Sequence, residues 1–351
     1  MACHRSVALG ALLTVTTGTV VAKERHDPST SSHQSHRLAT HPVPHELCQH
    51  SLRIAKASFC PAPLWNQMIA PVLATEKMVY VNVGANKGYN VNSFLMQYHR
   101  GWNVTNAQWK SMVAGGDCGV CKGCNDPGAV RTLIRKTSAQ VIAVEMLSDN
   151  AAQLQRIFEA FQVPGKVVHA AGGESVGETY EPRRQQPSFW NLWNLLSPYG
   201  GSFDKPGVEG VSVIDDPSKG LRVEQVTVDH IIQTYGLEKI DILSIDTEGH
   251  DDGVIRGADK ALASQNIRVV EFEYHEKGQW ATRSIHGTID FLKKHHYQCF
   301  WSGVQGELSP FLNGCNYDFK SWSNVVCSHD PQVLQIFHML VPEPFRPYSV
   351  A

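Results

Sequence analysis

The sequence predicts an α/β fold built on a mostly parallel sheet with helices on both faces. Four short apolar runs have the length of buried strands, over residues 78–83, 141–145, 240–246 and 267–272. Polar or amphipathic stretches of helical length follow, and we expect helices over 149–161, 251–262 and 286–295. Because strands that alternate with helices along a chain form parallel sheets, the pattern indicates a parallel sheet covered on both faces.

The composition is that of a globular protein. The 351 residues are enough for about two domains or for one elaborated domain. Hydrophobic residues make up 42% and charged residues 18%, which excludes a chain that is mainly disordered or rod-like. With 33 acidic against 31 basic residues and no large Lys/Arg cluster, we expect no nucleic-acid partner.

The N-terminus is typical of a targeting segment. Residues 1–22 carry an uncharged stretch, Val7 to Val21, that ends in small Ala22, which predicts a signal peptide and a protein of the secretory pathway or a secreted one. The stretch is too short for a stable membrane span. An organelle-targeting segment is the alternative, because residues 26–50 are poor in acids and rich in Ser and Thr.

The remaining chain divides by composition. We expect a His/Ser/Pro-rich linker over 23–50, an N-terminal extension over 51–77, the main domain over 78–330 and a C-terminal tail over 331–351. Within the main domain, about 101–131 is predicted to be a cysteine-rich insertion and about 172–220 a long Gly/Pro-rich loop. Four aromatic residues of this loop either anchor it or stack on a substrate: Phe189, Trp190, Trp193 and Tyr199.

Nine cysteines indicate disulfide bonds if the chain is secreted. Cys3 would leave with the signal peptide, and the equal spacing of two pairs predicts Cys48–Cys60 and Cys315–Cys327 bonds. The remaining four cysteines are Cys118, Cys121, Cys124 and Cys299. The first three of these could form disulfides, hold zinc with a fourth ligand, or stay free thiols.

A glycine turn and an acid follow the first two predicted strands. Gly84 and Gly88 bracket the turn after the first strand, where the absence of a Cβ would leave room for a ligand. Asn86 takes the place of the second glycine of a dinucleotide fingerprint, which disfavours an NAD-dependent dehydrogenase and favours another nucleotide-like cofactor. Glu145 ends the second strand, where a carboxylate can accept hydrogen bonds from ribose hydroxyls.

These segments resemble the FkbM methyltransferases over about residues 78–327. The matching motifs are Val83-Gly-Ala-Asn-Lys-Gly88, Val144-Glu145, Val226-Thr-Val-Asp229, Leu243-Ser-Ile-Asp-Thr-Glu-Gly249 and Asn324-Val-Val326. The resemblance implies a Rossmann-like methyltransferase sheet and an S-adenosylmethionine cofactor. It also implies an oxygen of a sugar, glycan or small metabolite as the methyl acceptor. Cofactor-binding residues would be Asn82, in the place of the family's aspartate, with Gly84, Asn86, Gly88 and Glu145.

Two carboxylates beyond the third predicted strand are the candidate catalytic residues. Asp246 and Glu248 lie on one side if the strand extends that far, because side chains alternate with a period of two. They could hold a sugar hydroxyl, act as general base, or bind a divalent cation with His250, Asp251 or Asp252. Asp251 and Asp252 are equally suited to the positive end of the next helix, and we favour that role for them.

The fourth strand supplies a second set of candidates. Glu271, Glu273 and His275 alternate, and they would activate the acceptor if their face lines the cleft. His169 could lie at the adenine edge or be structural. The alternative function for the whole chain is a secreted binding or structural protein on this fold without turnover.

Overall fold

The computed structural model describes residues 43–61, 64–73, 77–121, 137–182, 213 and 217–348. The predicted signal peptide, most of the predicted linker, Cys124 and the four loop aromatics lie outside these ranges. The helices are α1 (His45–Lys56), α2 (Leu64–Leu73), α3 (Tyr89–Tyr98), α4 (Asn106–Met112), α5 (Ser148–Phe161), α6 (Val228–Tyr235), α7 (Asp251–Arg256), α8 (Asp259–Ala263), α9 (Ile285–Lys294) and α10 (Pro331–Leu340). Short 3-10 helices cover Ala114–Gly116, Gly278–Ala281 and Glu343–Tyr348. None of the helices in these ranges has the length and hydropathy needed to cross a membrane.

A large sheet organises the described chain. The strands are β1 (Lys77–Val83), β2 (Ser138–Glu145), β3 (Gly165–His169), β4 (Ala171–Gly172), β5 (Gly177–Pro182), β6 (Gly220–Val226), β7 (Ile240–Ile245), β8 (Ile267–Tyr274), β9 (Gln298–Ser302), β10 (Leu308–Pro310) and β11 (Ser323–Ser328). Eight of them form one sheet in the order β10-β9-β11-β8-β7-β1-β2-β3. The pairs from β3 through to β8 are parallel, whereas β11 is antiparallel to both β8 and β9. The predicted, mostly parallel α/β sheet is therefore confirmed.

The centre of this sheet is covered on both faces. All six residues of β7 are buried, and so are the last six of β1. Since neighbouring side chains of a strand point to opposite faces, burial of every residue requires cover on each side. This explains why these strands could be recognised as continuous apolar runs.

A smaller sheet forms from β5, inside the predicted long loop, and from β4 and β6 at the boundaries of that loop. β6 lies between β4 and β5, parallel to β4 and antiparallel to β5. The predicted loop thus contains one described strand, β5, and residues 183–212 and 214–216 lie outside the described ranges.

The predicted helix over 251–262 is two helices, α7 and α8. In one continuous helix the carbonyl of Gly257 would accept from the N–H of Ala261. Asp229 takes both groups, because its backbone N–H donates to the Gly257 carbonyl at 3.1 Å and its Oδ1 accepts from Ala261 N at 3.0 Å. A tertiary contact therefore divides the helix.

Segments outside the predicted main domain pack on its core. Residue 50, the predicted end of the linker, lies inside α1, which packs against β9, β10 and β11. Residue 331, the predicted start of the tail, is the first of α10, which packs on α2 and buries Phe337. The segment boundaries themselves stay a prediction.

The disulfide pairing predicted from spacing is wrong. The structure joins Cys48 to Cys315, Cys60 to Cys121 and Cys299 to Cys327. Cys118 is disulfide-bonded as well, so neither Cys118 nor Cys121 offers a thiolate for the zinc alternative. Equal spacing misled because α1 and the residue 60 segment pack against parts of the chain far from them in sequence. Disulfides of this number are characteristic of an oxidising compartment.

Candidate active site

The predicted site residues lie beside β1, where the strand order of the large sheet reverses its direction. From β1 the sheet extends through β2 and β3 on one side and through β7 and β8 on the other. Val83 is level with Val144 of β2 and with Ile245 of β7, so Gly84, Glu145 and Asp246 lie side by side at the carboxyl edge. Open α/β sheets bind their ligands at this kind of switch point.

Gly84 is required by the protein itself. Its φ is +85°, and a Cβ there would lie 1.7 Å from the carbonyl oxygen of Asp246. The two strand ends are also joined by a 2.9 Å hydrogen bond from Asp246 N to the Val83 carbonyl. The expectation that Gly84 leaves room for a ligand is therefore corrected: the missing side chain lets the end of β7 approach β1.

Gly88 likewise serves packing. A Cβ on Gly88, at φ +73°, would lie 2.6 Å from Leu154 of α5 and 2.9 Å from Trp109 of α4. The Trp109 indole donates to the Lys87 carbonyl at 2.8 Å, so the start of the predicted insertion is fastened to the turn. Asn86 has φ +45°, a conformation that asparagine tolerates better than most residues.

Glu145 connects the turn to the end of β2. Its Oε2 accepts from the backbone N–H of Asn86 at 2.7 Å, and its Oε1 accepts from Leu147 N at 2.8 Å. Burial raises the pKa of Glu145 to about 7, although the two backbone hydrogen bonds lower it. A carboxylate has about four lone-pair sites, and backbone groups of Asn86, Leu147 and Met146 act on this one, which leaves one site for a ligand hydroxyl.

Asn82 lies one level below this edge, within the sheet. It is 1% exposed, and its Nδ2 is 3.5 Å from the carbonyl of Ser244 on β7. Its Oδ1 has no hydrogen-bond partner among the described residues. The predicted cofactor residue is thus a buried amide with one acceptor to spare.

Asp246, Glu248 and Glu273 form a group of acids at this edge, which we call the acid cluster. Asp246 and Glu248 belong to it for different structural reasons. β7 ends at Ile245 and Glu248 has φ +53°, so strand alternation does not extend to Glu248. Both side chains nevertheless act on Glu273 of β8. Burial raises the pKa of Glu273, the charges of Asp251 and Glu248 raise it further, and a hydrogen bond with Asp246 lowers it. Glu248 is also paired with Lys277 at 3.2 Å.

Asp251 holds the β7 turn against β8. It accepts from the Thr247 hydroxyl at 2.9 Å and from the backbone N–H of Glu273 at 3.0 Å. Burial raises its pKa to about 7. Asp251 therefore has the contacts of a structural acid. These contacts join the turn after β7 to β8, and thus go beyond the expected interaction with the start of the next helix.

Asp252 is the centre of a separate ion-pair group. Its Oδ2 accepts from Arg256 at 2.9 Å and from Arg283, and its Oδ1 accepts from the Thr288 hydroxyl at 2.6 Å. Because every partner is a protein group, Asp252 stabilises the packing of α7 against α9.

Of the three candidates on the fourth predicted strand, Glu271, Glu273 and His275, only Glu273 belongs to the acid cluster. Glu271 lies one level below, where burial raises its pKa and the Ser244 side chain hydrogen-bonds it. His275 is 6% exposed, its Nδ1 accepts from Lys277 N, and its Nε2 has no partner in the described chain. His169 is exposed at the end of β3, where its Nε2 is 3.0 Å from the Met146 carbonyl.

Two aromatic residues at this edge were missed. The Trp322 indole lies close enough to Glu273 to lower the pKa of that acid, and the Phe59 ring lies 6.3 Å from the Trp322 ring. One signal could have located Trp322: an antiparallel strand begins where its parallel neighbours end, so residues before Asn324 fall at the carboxyl edge. Nothing in the sequence places Phe59 there.

The acids at this edge are also the candidate ligands for a divalent cation. Within the ranges that the structure describes, no group of three or more His, Cys, Asp or Glu side chains is arranged to hold a metal ion. The carboxylates of the cluster are instead engaged with protein groups.

Comparison with known proteins supports the motif-based prediction. The model of the methyltransferase FkbM domain matches residues 117–299, from before β2 to the start of β9. No curated protein sequence matches significantly. The family match begins after the glycine turn, so it covers a shorter range than the motif resemblance.

Twenty-three solved chains are structurally similar. An FkbM methyltransferase from Methylobacillus flagellatus KT has 10% identity and a TM-score of 0.38, covering 80% of this chain and 50% of that one. The METTL16 methyltransferase domain has 10% identity and a TM-score of 0.31, covering 78% and 69%. Precorrin-6y C5,15-methyltransferase from Geobacter metallireducens GS-15 has 9% identity and a TM-score of 0.28, covering 75% and 86%.

The present chain therefore spans half of the length of the Methylobacillus protein. Structural similarity at these values carries no functional argument, whereas the family model matches more than half of the 351 residues. The chain belongs to the FkbM methyltransferase domain family.

Proposed function

We propose that the protein is an S-adenosylmethionine-dependent methyltransferase whose acceptor is an oxygen of a sugar or small hydroxylated metabolite. One observation carries the proposal: Glu145 and the glycine turn meet Asp246 at the switch point of the sheet. Family membership supports methyl transfer, and the cofactor and acceptor are inferred from this edge and from the motif resemblance.

The residues present fit such a cofactor. Glu145 is fixed by two backbone hydrogen bonds and keeps an acceptor site for a ribose hydroxyl. Asn82 offers a buried oxygen without a protein partner. When bound, the cofactor would supply an electrophilic methyl group on a sulfonium.

Asp246 and Glu248 are proposed to orient the acceptor hydroxyl and to take its proton. With the cofactor bound as the methyl donor, Asp246 or Glu248 would accept the proton that the acceptor hydroxyl loses. Both acids act on Glu273, a buried carboxyl whose pKa is raised by burial and by the charges of Asp251 and Glu248. Positioning and proton removal are the two tasks that the protein must perform.

The test is release of S-adenosylhomocysteine with a panel of sugars and small hydroxylated metabolites. We expect Asp246→Asn and Glu248→Gln to keep cofactor affinity and to lower turnover by about 10²–10⁴. Asp259→Asn is the matched control, because this acid of α8 is paired with His295 at 3.1 Å outside the cluster. Full activity in both amide variants would remove these two acids from the mechanism.

Dependence on a cation is tested in the same assay. A fall in wild-type turnover on adding EDTA that Mg²⁺ restores would indicate a metal-held acceptor, since a carboxylate base needs no added cation. Firm cofactor binding without turnover on any acceptor would favour the alternative of a binding protein on this fold.

The location is a further part of the proposal. The disulfides indicate an oxidising compartment. We infer that residues 1–22 direct the chain into the secretory pathway. N-terminal sequencing of protein from a secreting host checks this, and an intact Met1 there would contradict it.

A further inference from the structure

An exposed aromatic ring is held beside the acid cluster. Phe59 is 53% exposed, and its ring centroid lies 6.3 Å from that of Trp322. Single exposed apolar side chains are common on protein surfaces and need no explanation alone. The surroundings of Phe59 are what set it apart.

The backbone on both sides of Phe59 is fastened. Ser58 is buried and exchanges hydrogen bonds with Asn324: its Oγ accepts from Asn324 N at 2.6 Å, and its carbonyl accepts from Asn324 Nδ2 at 2.8 Å. Cys60 is joined to Cys121 by a disulfide. An exposed ring between two such anchors loses little conformational freedom when it binds a ligand.

The anchors place the ring at the edge that carries the acids. Asn324 of β11 is paired with Glu273 of β8, and Trp322 lies two residues before Asn324. The Trp322 indole lowers the pKa of Glu273. The Nε1 atom of Trp322 is buried, and no group of the described chain lies within hydrogen-bond geometry of it. Glu273 in turn bonds Asp246, the proposed catalytic acid.

We propose that Phe59 and Trp322 form the binding subsite for a pyranose ring of the acceptor. This inference rests on the proposed function, because it assigns the acceptor's position at the same site. A pyranose has an apolar face of C–H groups, which suits an aromatic ring, and a rim of hydroxyls. The Trp322 ring extends the aromatic surface beside Phe59, and Glu273 supplies a polar partner for that rim.

The surroundings of the acids, which include the Lys277–Glu248 ion pair, favour a neutral ligand over a cation. Burial raises the pKa of Glu273 and brings that of Asp251 to about 7, and Lys277 neutralises Glu248 at 3.2 Å. Carboxyls that hold protons near neutral pH give and accept hydrogen bonds but attract a cation weakly. An ammonium ligand would want the same aromatic rings with ionised acids, so it is the alternative that the experiment must exclude.

The experiment measures binding of methyl glycosides of glucose, galactose, mannose and N-acetylglucosamine to the full chain by saturation-transfer NMR. At least one glycoside should bind the wild type, and Phe59→Ala should weaken that binding about tenfold. Phe59→Tyr keeps the ring and should stay within about twofold of the wild type. Trp322→Phe keeps an aromatic ring beside Phe59 and should weaken binding less than Phe59→Ala does. Met339→Ala is the control, since Met339 is 57% exposed on α10.

The outcomes separate this inference from the proposed function. S-adenosylmethionine is titrated into the same samples. Cofactor binding by a wild type that binds no glycoside, or equal glycoside binding by Phe59→Ala, overturns the subsite alone. Glycoside binding without cofactor binding overturns the proposed function alone. Binding of tetramethylammonium that depends on Phe59, in place of glycosides, shows a cation site and overturns the inference.

Discussion

Replacement of Gly84 by alanine tests how the two central strands meet. Gly101 is the matched control, because its φ of +78° is close to the +85° of Gly84, while a Cβ at Gly101 has no atom within 4 Å. Both variants place a side chain in the left-handed region, which costs about 1–2 kcal/mol. Only Gly84→Ala adds a collision, with the Asp246 carbonyl oxygen 1.7 Å from the new carbon.

The collision sets the expected difference. Overpacking of a tight contact costs about 1–3 kcal/mol, and here the obstacle is backbone, which cannot rotate away. We expect Gly101→Ala to lower the free energy of unfolding by about 1–2 kcal/mol and Gly84→Ala by about 2 kcal/mol more. Urea denaturation measures both. Equal losses in the two variants would refute the close approach of β7 to β1.

This result also bears on the choice of variants for the cofactor site. A larger residue at Gly84, such as valine, would separate β1 from β7 before it met any ligand. Loss of cofactor binding in Gly84→Val would therefore report a distorted sheet edge. Variants of Glu145 are the better probe of binding.

Three further outcomes follow from buried acids and disulfides. The pKa of Glu145 rises from 4.5 to about 7 on folding, so its protonated form is favoured in the fold. The free energy of unfolding of the wild type, relative to that of Glu145→Gln, should thus be highest below pH 4.5 and fall by about 3 kcal/mol as pH rises through 7. A difference between the two proteins that does not change with pH would contradict the burial of Glu145. Asp252→Ala should lower the free energy of unfolding by about 3 kcal/mol, because it removes a buried acid that Arg256, Arg283 and Thr288 share; a loss below about 1 kcal/mol in urea denaturation would contradict this. Non-reducing peptide mapping should find the Cys48–Cys315, Cys60–Cys121 and Cys299–Cys327 linkages, and a peptide joining Cys48 to Cys60 would show that the pairing is different.

The central strands could be predicted because their residues face apolar surroundings on both sides. Val81 and Leu243 are fully buried, and such strands are continuous apolar runs. Positions at the strand ends were predictable for the same reason: Glu145 and Asp246 come directly after runs whose direction in the sheet is known. The antiparallel strand β11 is a weaker signal in the sequence, although its direction is what places Trp322 at the carboxyl edge.

Contacts between distant segments could not be predicted. Cys48 and Cys315 are 267 residues apart, and the packing of α1 against β9, β10 and β11 brings Cys48 to the C-terminal part of the chain. The role of Gly84 depends on an atom of Asp246, so the sequence suggested the correct residue type for an incorrect reason. The position of Phe59 depends on Ser58 and the Cys60 disulfide, neither of which has a local pattern.

Calorimetric titration of S-adenosylmethionine into the purified chain tests the central claim most directly. We predict binding of one cofactor per chain, no binding of NAD, and weakening by about 1.5–3 kcal/mol in Glu145→Ala, the range for a hydrogen bond to a charged group. Asp229→Ala is the control, because this carboxylate also accepts two backbone hydrogen bonds, from Lys260 and Ala261, away from the switch point. Absence of S-adenosylmethionine binding by the wild type, or equal affinity in Glu145→Ala and the wild type, would contradict the assignment of this edge as the cofactor site.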